Sequence, residues 1–430
     1  MNKNKRIFIC GILLVFLINL LFNISYAIPD NTIEGEDAAP TLISANSNTD
    51  IDIGVMCEHS ILVEPSTDTI LYEHDAYEKA YPASVTKILC ALVALENSKL
   101  TDTTKVSQNA IKLIPNGYST ANLAVDEEVT METLLEALLI HSANEAANVI
   151  SEAISGSVEA YADKMNERAL ELGCKNTHFV NGNGIHSEDH YTTAYDMYLI
   201  AKECMKNDDF RRIIQMKEVS IPSSPQHPAE DRVFKNTDQL LLPGNKYYYE
   251  GTLGIKTGFT TQAKNCFIGA AKRNDFELIS VVLGAPTING ESQRFPDTIR
   301  LFNYGFDNYK FDKIKNDKDI LKTVEIENAN DETKSLNLLL EKGFDAFINN
   351  DLDIEKLEPQ IEYTKELKAP ISMGEVLGTA TYTIGTQTFT SNILAGSDVV
   401  AKIHYEIYLM VGGGVLLVIG LLILPKKNKK

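Results

Sequence analysis

Cysteine is scarce in this sequence, with 6 in 430 residues, and Cys10 falls inside an N-terminal apolar run. Cys57, Cys90, Cys174, Cys204 and Cys266 are odd in number, widely spaced and show no metal-ligand pattern. That argues against a disulfide framework, leaving at most a chance pair, and it points to no metal or cofactor. Buried thiols are the reading. Positive charge is the second shortage: 40 Lys and Arg stand against 59 Asp and Glu, a net of −19 at pH 7. Lys3, Lys5, Arg6, Lys426, Lys427, Lys429 and Lys430 sit at the two ends, so the body between is more acidic still. Such a surface argues against nucleic acid as a partner. Internal repeats and low-complexity tracts are absent as well.

Long apolar runs occur only at the ends. Ile7 to Phe22, with basic residues before it and Ser25-Tyr26-Ala27 after it, predicts a secretory signal peptide over residues 1–27. Residues 407–424 are uncharged and mostly apolar, and lysines follow in 425–430. That predicts a transmembrane helix with a basic cytoplasmic tail, a single-pass protein whose body lies on the extracytoplasmic face. Residues 28–50 are polar and read as a flexible lead-in, and the remainder is long enough for two domains.

In the first, 51–310, alternating residues over Ser60–Glu64 and Thr69–Glu73 flank Pro65-Ser66-Thr67-Asp68 and predict a hairpin. A helix follows from Ser84 to about Asn97. Thr130 caps a helix running to about Ile140, and a break at His141–Asn144 leads into Glu145–Ile154. A third helix from Val158 stripes Tyr161, Met165, Ala169 and Leu172 and stops at Gly173. Thr193 and Asp196 form a capping box for a fourth. From Leu253 the pattern turns to strands: a short one ending at Lys256-Thr257-Gly258, then Cys266–Ala271 and Leu278–Leu283 as an antiparallel pair. Arg294 to Phe306 closes the unit as a helix. Hairpin first, helices in the middle, strands and a helix last predict a layered α/β (α+β) unit with both chain ends in one antiparallel sheet. Residues 311–402, with charged turns and short apolar stretches, predict a small all-β domain.

Three polar groups stand at element ends. Ser84 and Lys87, three apart at a helix start, share a face, so the amine lies near the hydroxyl. A serine hydroxyl needs a base, and a lysine serves only if burial or a neighbouring positive charge keeps it neutral. Ser142-Ala143-Asn144 interrupts two helices. Lys256-Thr257-Gly258 ends a strand, and Gly258 leaves room for something to lie alongside its backbone.

The set resembles the active-site serine penicillin-recognising enzymes, with their Ser-x-x-Lys, Ser-x-Asn and Lys-Thr-Gly boxes. It is most similar to the serine-type D-alanyl-D-alanine carboxypeptidases, the low-molecular-mass penicillin-binding proteins, over about 55–310, and more weakly over 311–402. Pro82-Ala83-Ser84, Leu172–Phe179, His190–Thr193 with Asp196, and Tyr304-Gly305-Phe306 also carry the likeness. The resemblance implies a β-lactamase-like catalytic domain followed by a β-rich domain. It implies an enzyme of the bacterial cell membrane that trims the terminal D-alanine from peptidoglycan stem peptides ending in D-Ala-D-Ala. β-Lactams are its covalent inhibitors. Ser84 is then the expected nucleophile, Lys87 its general base, Ser142 a proton relay and Asn144 a polar holder. Lys256 is the second cation, Arg294 and Thr257 bind the substrate carboxylate, and the Ser84 and Phe259 N–H groups, beside Gly258, hold the oxyanion. The chain departs from the family at Glu145, where relatives usually carry Asp, and at Lys264, where they usually carry Gly. The alternatives are a β-lactamase-like hydrolase, with Glu188 as the deacylating carboxylate, and a catalytically weakened wall-binding protein. Esterase or endopeptidase action on related substrates also stays open.

Overall fold

The computed structural model describes residues 51–228 and 231–403. Five strands form its main sheet: β1 (His59–Glu64), β2 (Thr69–His74), β3 (Thr252–Thr260), β4 (Lys264–Arg273) and β5 (Phe276–Ala285). They run in the order β2-β1-β5-β4-β3, each antiparallel to its neighbours. The front hairpin and the rear strands therefore share one sheet.

β4 and β5 read as unbroken apolar runs because both sheet faces are covered. Alternation sorts the side chains. Ile61, Val63, Ile268, Ile279 and Val281 face the helical layer, and Leu62, Phe267, Leu278 and Val282 face the helix Arg294–Asn308. That helix lays Phe295, Leu301, Phe302 and Phe306 on the sheet. Gly305 lets it seat closely, since a Cβ there would lie 2.5 Å from a Leu278 methyl carbon. On the other face the helix Lys87–Asn97 is buried at every residue from Lys87 to Ala94, as a helix surrounded by protein must be.

Thr130 and Thr193 cap their helices as expected, accepting from the N–H groups of Thr133 and Asp196, and Ser157 adds a further cap, accepting from that of Ala160. Three details differ. The helix from Met131 widens into a π turn over Ala137–His141 and ends at Ser142, whose φ is 67°. The carboxylate of Asp196 does not reach back to Thr193; it accepts from the N–H of Asn176 and the hydroxyl of Thr177, both at 2.8 Å, and ties down the loop that precedes its helix. β3 does not stop at Gly258 but continues to Thr260, because Thr257–Thr260 find partners in Lys264–Phe267. The five described cysteines are all buried thiols.

From Tyr309 the chain builds a second core. Tyr309–Lys315 pairs with Phe344–Asn349, and five further strands form an antiparallel sheet around Leu336, Leu338, Leu377 and Ile393. Phe347 joins the two cores, its ring 5.1 Å from that of Phe276 and stacked 5.7 Å from that of Tyr309.

The expected membrane span requires correction. No helix among the described residues is long and apolar enough to cross a membrane. The longest of them, Arg294–Asn308, has 15 residues. That is about 22 Å of helix against a hydrocarbon core of about 30 Å, and its apolar stripe is spent on the sheet. The transmembrane helix as part of the fold class, the membrane as a partner and the single-pass location are withdrawn accordingly. The segments 1–27, 28–50, 407–424 and 425–430, on which those readings fell, lie outside the described residues.

Lys264, which replaces the family's usual glycine, opens β4 at a φ of 55° and extends its amine to Glu58, 2.5 Å away, on an exposed edge. A left-handed L residue costs roughly 1 kcal/mol, and an exposed ion pair offsets only part of that. In a Glu58→Ala background, which removes the ion pair, Lys264→Gly is expected to raise the unfolding free energy by about 1 kcal/mol. The measurement is a urea midpoint at unchanged slope; an unchanged midpoint would mean that the turn carries no strain.

Candidate active site

The turn Ala83–Thr86 is a single 3-10 turn running straight into the helix Lys87–Asn97. Ser84 and Lys87, one turn apart, meet as their spacing requires, with Nζ 3.0 Å from Oγ. Ala83 adopts a φ of 50°, which an alanine does not take unaided. Its carbonyl accepts the Thr86 hydroxyl at 2.8 Å. Two glycines crowd the same turn. A Cβ on Gly184 would stand 2.0 Å from the Ala83 oxygen, and one on Gly258 would stand 3.0 Å from the Ser84 nitrogen. What lies alongside Gly258 is therefore the backbone of the serine turn.

Lys87 is completely buried. Its amine donates to Ser84 Oγ, to Asn144 Oδ1 at 2.9 Å and to the main-chain oxygen of Asn183. Burial lowers its pKa to about 7. Burial leads here, where the sequence pattern pointed also to a second cation. Asn183 is a member of the site that the sequence did not single out. Its side chain is pinned by Asn148 (3.0 Å) and by the N–H of Ile185 (2.9 Å), which presents the carbonyl to the lysine. A main-chain oxygen carries no residue-type signal, and the Asn181–Gly184 cluster signalled only a loop.

Asn144 opens its helix and holds the facing wall as well, its Nδ2 and main-chain N–H both donating to the oxygen of Ser119. Ser142 lines the cleft between these elements, and its hydroxyl makes no hydrogen bond to protein among the described residues. Lys256, on β3, is buried with its amine on the carbonyl of Thr257 at 3.0 Å. Burial first, then the Lys87 and Arg294 charges, hold its pKa far below the ordinary range. Thr257 donates its hydroxyl to that of Thr237 at 2.7 Å. Arg294 donates to the carbonyl of Gly258 at 3.1 Å, and its Nε is buried without a partner. Phe259 points its ring outward, 59% exposed, leaving its backbone beside the serine turn.

Between these groups lies a cleft of about 400 Å³, bounded by Ser84, Asn116–Ser119, Ser142, Asn144, Thr237, Thr257–Thr261 and Arg294. Arg294 is the one charged side chain on its described lining. Thr237 and its neighbour Asp238 also escaped sequence reading. Asp238 is buried, with Oδ1 accepting from Leu240 and Oδ2 unpartnered, and burial raises its carboxyl to about 7 despite Lys256 and Arg294 nearby.

Glu145 holds the cleft wall by accepting the N–H groups of Ala121 (2.6 Å) and Leu123 (3.4 Å). Glu188 lies away from the cleft lining: its side chain is 84% exposed and accepts the hydroxyl of Tyr81 at 2.8 Å. Among the described residues no group of three His, Cys, Asp or Glu is placed to hold a metal ion.

Comparison with known proteins agrees with this arrangement. Residues 45–287 match the family model described as D-alanyl-D-alanine carboxypeptidase, and residues 309–401 match that of the penicillin-binding protein 5 C-terminal domain. The chain is 30% identical to the D-alanyl-D-alanine carboxypeptidase DacF of Bacillus subtilis, over 80% of this chain and 84% of that one. It is 34% identical to a D-alanyl-D-alanine carboxypeptidase of a Streptomyces species, over 56% of this chain and 84% of the relative. The crystal structure of DacD from Francisella tularensis superposes with a TM-score of 0.60 at 24% identity, covering 80% of this chain and 94% of its own, a likeness of fold. A buried lysine against a serine, in this fold and with these relatives, means that the chain belongs to the serine-type D-alanyl-D-alanine carboxypeptidase family.

Proposed function

We propose that this carboxypeptidase releases the terminal D-alanine of peptidoglycan stem peptides through an acyl-enzyme on Ser84. The observation that carries the assignment is the Lys87 amine, wholly buried, with a pKa near 7 and 3.0 Å from Ser84 Oγ. Neutral Lys87 takes the Ser84 proton as Oγ attacks the carbonyl of the penultimate residue. The developing oxyanion lies between the backbone N–H groups of Ser84 and Phe259, which Gly258 allows to approach each other. Ser142, whose hydroxyl has no protein partner among the described residues, relays to the leaving amine the proton that Lys87 took from Ser84, and Asn144 keeps Lys87 in line. Water then releases the shortened peptide. Arg294, Thr257 and Lys256 take the free carboxylate that distinguishes a chain end from an internal bond. The β-lactamase reading loses its carboxylate, since Glu188 faces solvent rather than the cleft.

Intact-mass measurement with a penicillin tests the assignment. Wild type should gain one adduct on Ser84, Ser84→Ala none, and Lys87→Ala should acylate several orders of magnitude more slowly. An adduct mapped to Ser142 would overturn it.

The acylation rate should also follow the charge on Lys87. Only the neutral amine accepts a proton, so the rate should be flat above a pKa of about 7. Below it the rate should fall about tenfold per pH unit as the neutral fraction shrinks. Equal rates at pH 5 and pH 8 would rule Lys87 out as the base.

A charge-assisted pair inside a cleft is worth about 1.5 to 3 kcal/mol. Arg294→Ala should therefore lower kcat/KM for a D-alanyl-D-alanine peptide by roughly tenfold to a hundredfold. Amidating the peptide's carboxylate should reproduce that loss in wild type and cost the variant little more. If amidation costs both enzymes equally, Lys256 and not Arg294 reads the carboxylate.

A further inference from the structure

His190 is 1% exposed and takes no part in the chemistry above. Its two ring nitrogens are both engaged. Nδ1 accepts the N–H of Val180 at 3.1 Å, so it carries no proton. Nε2 is then the protonated nitrogen, and it donates to the Thr86 hydroxyl at 2.8 Å. With that lone pair taken, Thr86 sends its own proton to the carbonyl of Ala83, also at 2.8 Å. Each donor direction in the series Val180, His190, Thr86, Ala83 follows from the one before. The series ends on the residue that precedes Ser84 and that sits at the unfavourable φ of 50°.

The surrounding chain supports the same end. Ala80 and Thr192 exchange both backbone hydrogen bonds, at 2.8 and 2.9 Å, joining the His190 segment to the approach to Ser84. Gly184, in the same loop, touches the Ala83 carbonyl from another side. Phe179 packs its ring 5.3 Å from the imidazole and shuts out water. Burial, with the nearby His178, His186 and Lys87, depresses the imidazole to about 3, so it stays neutral where the enzyme works.

We propose that His190 is a positioning residue for acylation: through Thr86 it fixes the Ala83 carbonyl, and so the line along which Ser84 Oγ leaves the turn. This rests on Ser84 being the nucleophile. A histidine that merely filled the core would affect stability. One that aims the serine affects the acylation step and leaves the binding that precedes it alone. It also has a specific substitute, since glutamine can place an amide N–H where Nε2–H stands.

The test is penicillin acylation by rapid-quench mass spectrometry, separating the dissociation constant of the first complex from the acylation rate constant, with thermal unfolding alongside. His190→Ala and Thr86→Val should each slow acylation by about tenfold to a hundredfold, with the dissociation constant within about threefold of wild type. The double variant should be no slower than either single one. His190→Gln should recover most of the rate. If His190→Ala fails to fold, Thr86→Val and His190→Gln decide. The inference is overturned if folded Thr86→Val acylates at the wild-type rate. It is equally overturned if the two losses multiply, or if the dissociation constant moves instead of the rate. Absence of any adduct in wild type would instead bring down the Ser84 assignment itself.

Discussion

An amine held out of water is the constraint on which the site depends. A lysine can act as a base only in its neutral form, and burial favours that form at Lys87. Burial requires protein on every side, which is why the helix is enclosed from Lys87 to Ala94, where a surface helix would show a polar face. It also restricts the partners. The oxygens around the amine belong to Ser84, Asn144 and the main chain of Asn183. A carboxylate there would stabilise the ammonium and end its use as a base. Glu145, the acid nearby, has one oxygen committed to the N–H groups of Ala121 and Leu123.

The second requirement is closeness of backbones. The serine turn, the loop at Gly184 and β3 at Gly258 converge to distances at which a methyl group on Gly184 would clash and one on Gly258 would crowd the Ser84 backbone. That convergence sets two N–H groups beside the serine without any side chain being asked to supply them. It also explains why β3 runs past Gly258. Continued pairing with β4 holds Gly258 and Phe259 rigid, whereas a strand end would leave them loose.

Charge is distributed against the average. A chain of net charge −19 carries, among the described residues lining its cleft, one charged side chain, the arginine Arg294. Across a Debye length of about 8 Å the distant acids are screened, so the local charge of Arg294 weighs most in what the cleft attracts. Buried Asp238 lies near enough to interact with the Arg294 charge, and its raised pKa keeps it from cancelling that charge outright. Lys264, the first residue of β4, sits at positive φ, a strain confined to an exposed edge.

Much of this was legible in the residues. Period-two and helical spacing located the hairpin, the caps and the closing helix, because those signals are local. The Ser84–Lys87 contact follows from helix geometry alone, and the three polar boxes with their resemblance identified the family. Other features needed the folded chain. The carbonyl of Asn183 has no side-chain identity to read, and Asp238 looks like any surface acid until burial raises it. The π turn before Ser142 and the redirected carboxylate of Asp196 answer to neighbours distant in sequence. A membrane span, read from hydropathy, fell on residues outside those described. The sequence by itself determined which chemical groups are present and how they space along each element. Only tertiary structure decided which of them lose their water, and desolvation is what favours the neutral form of a lysine.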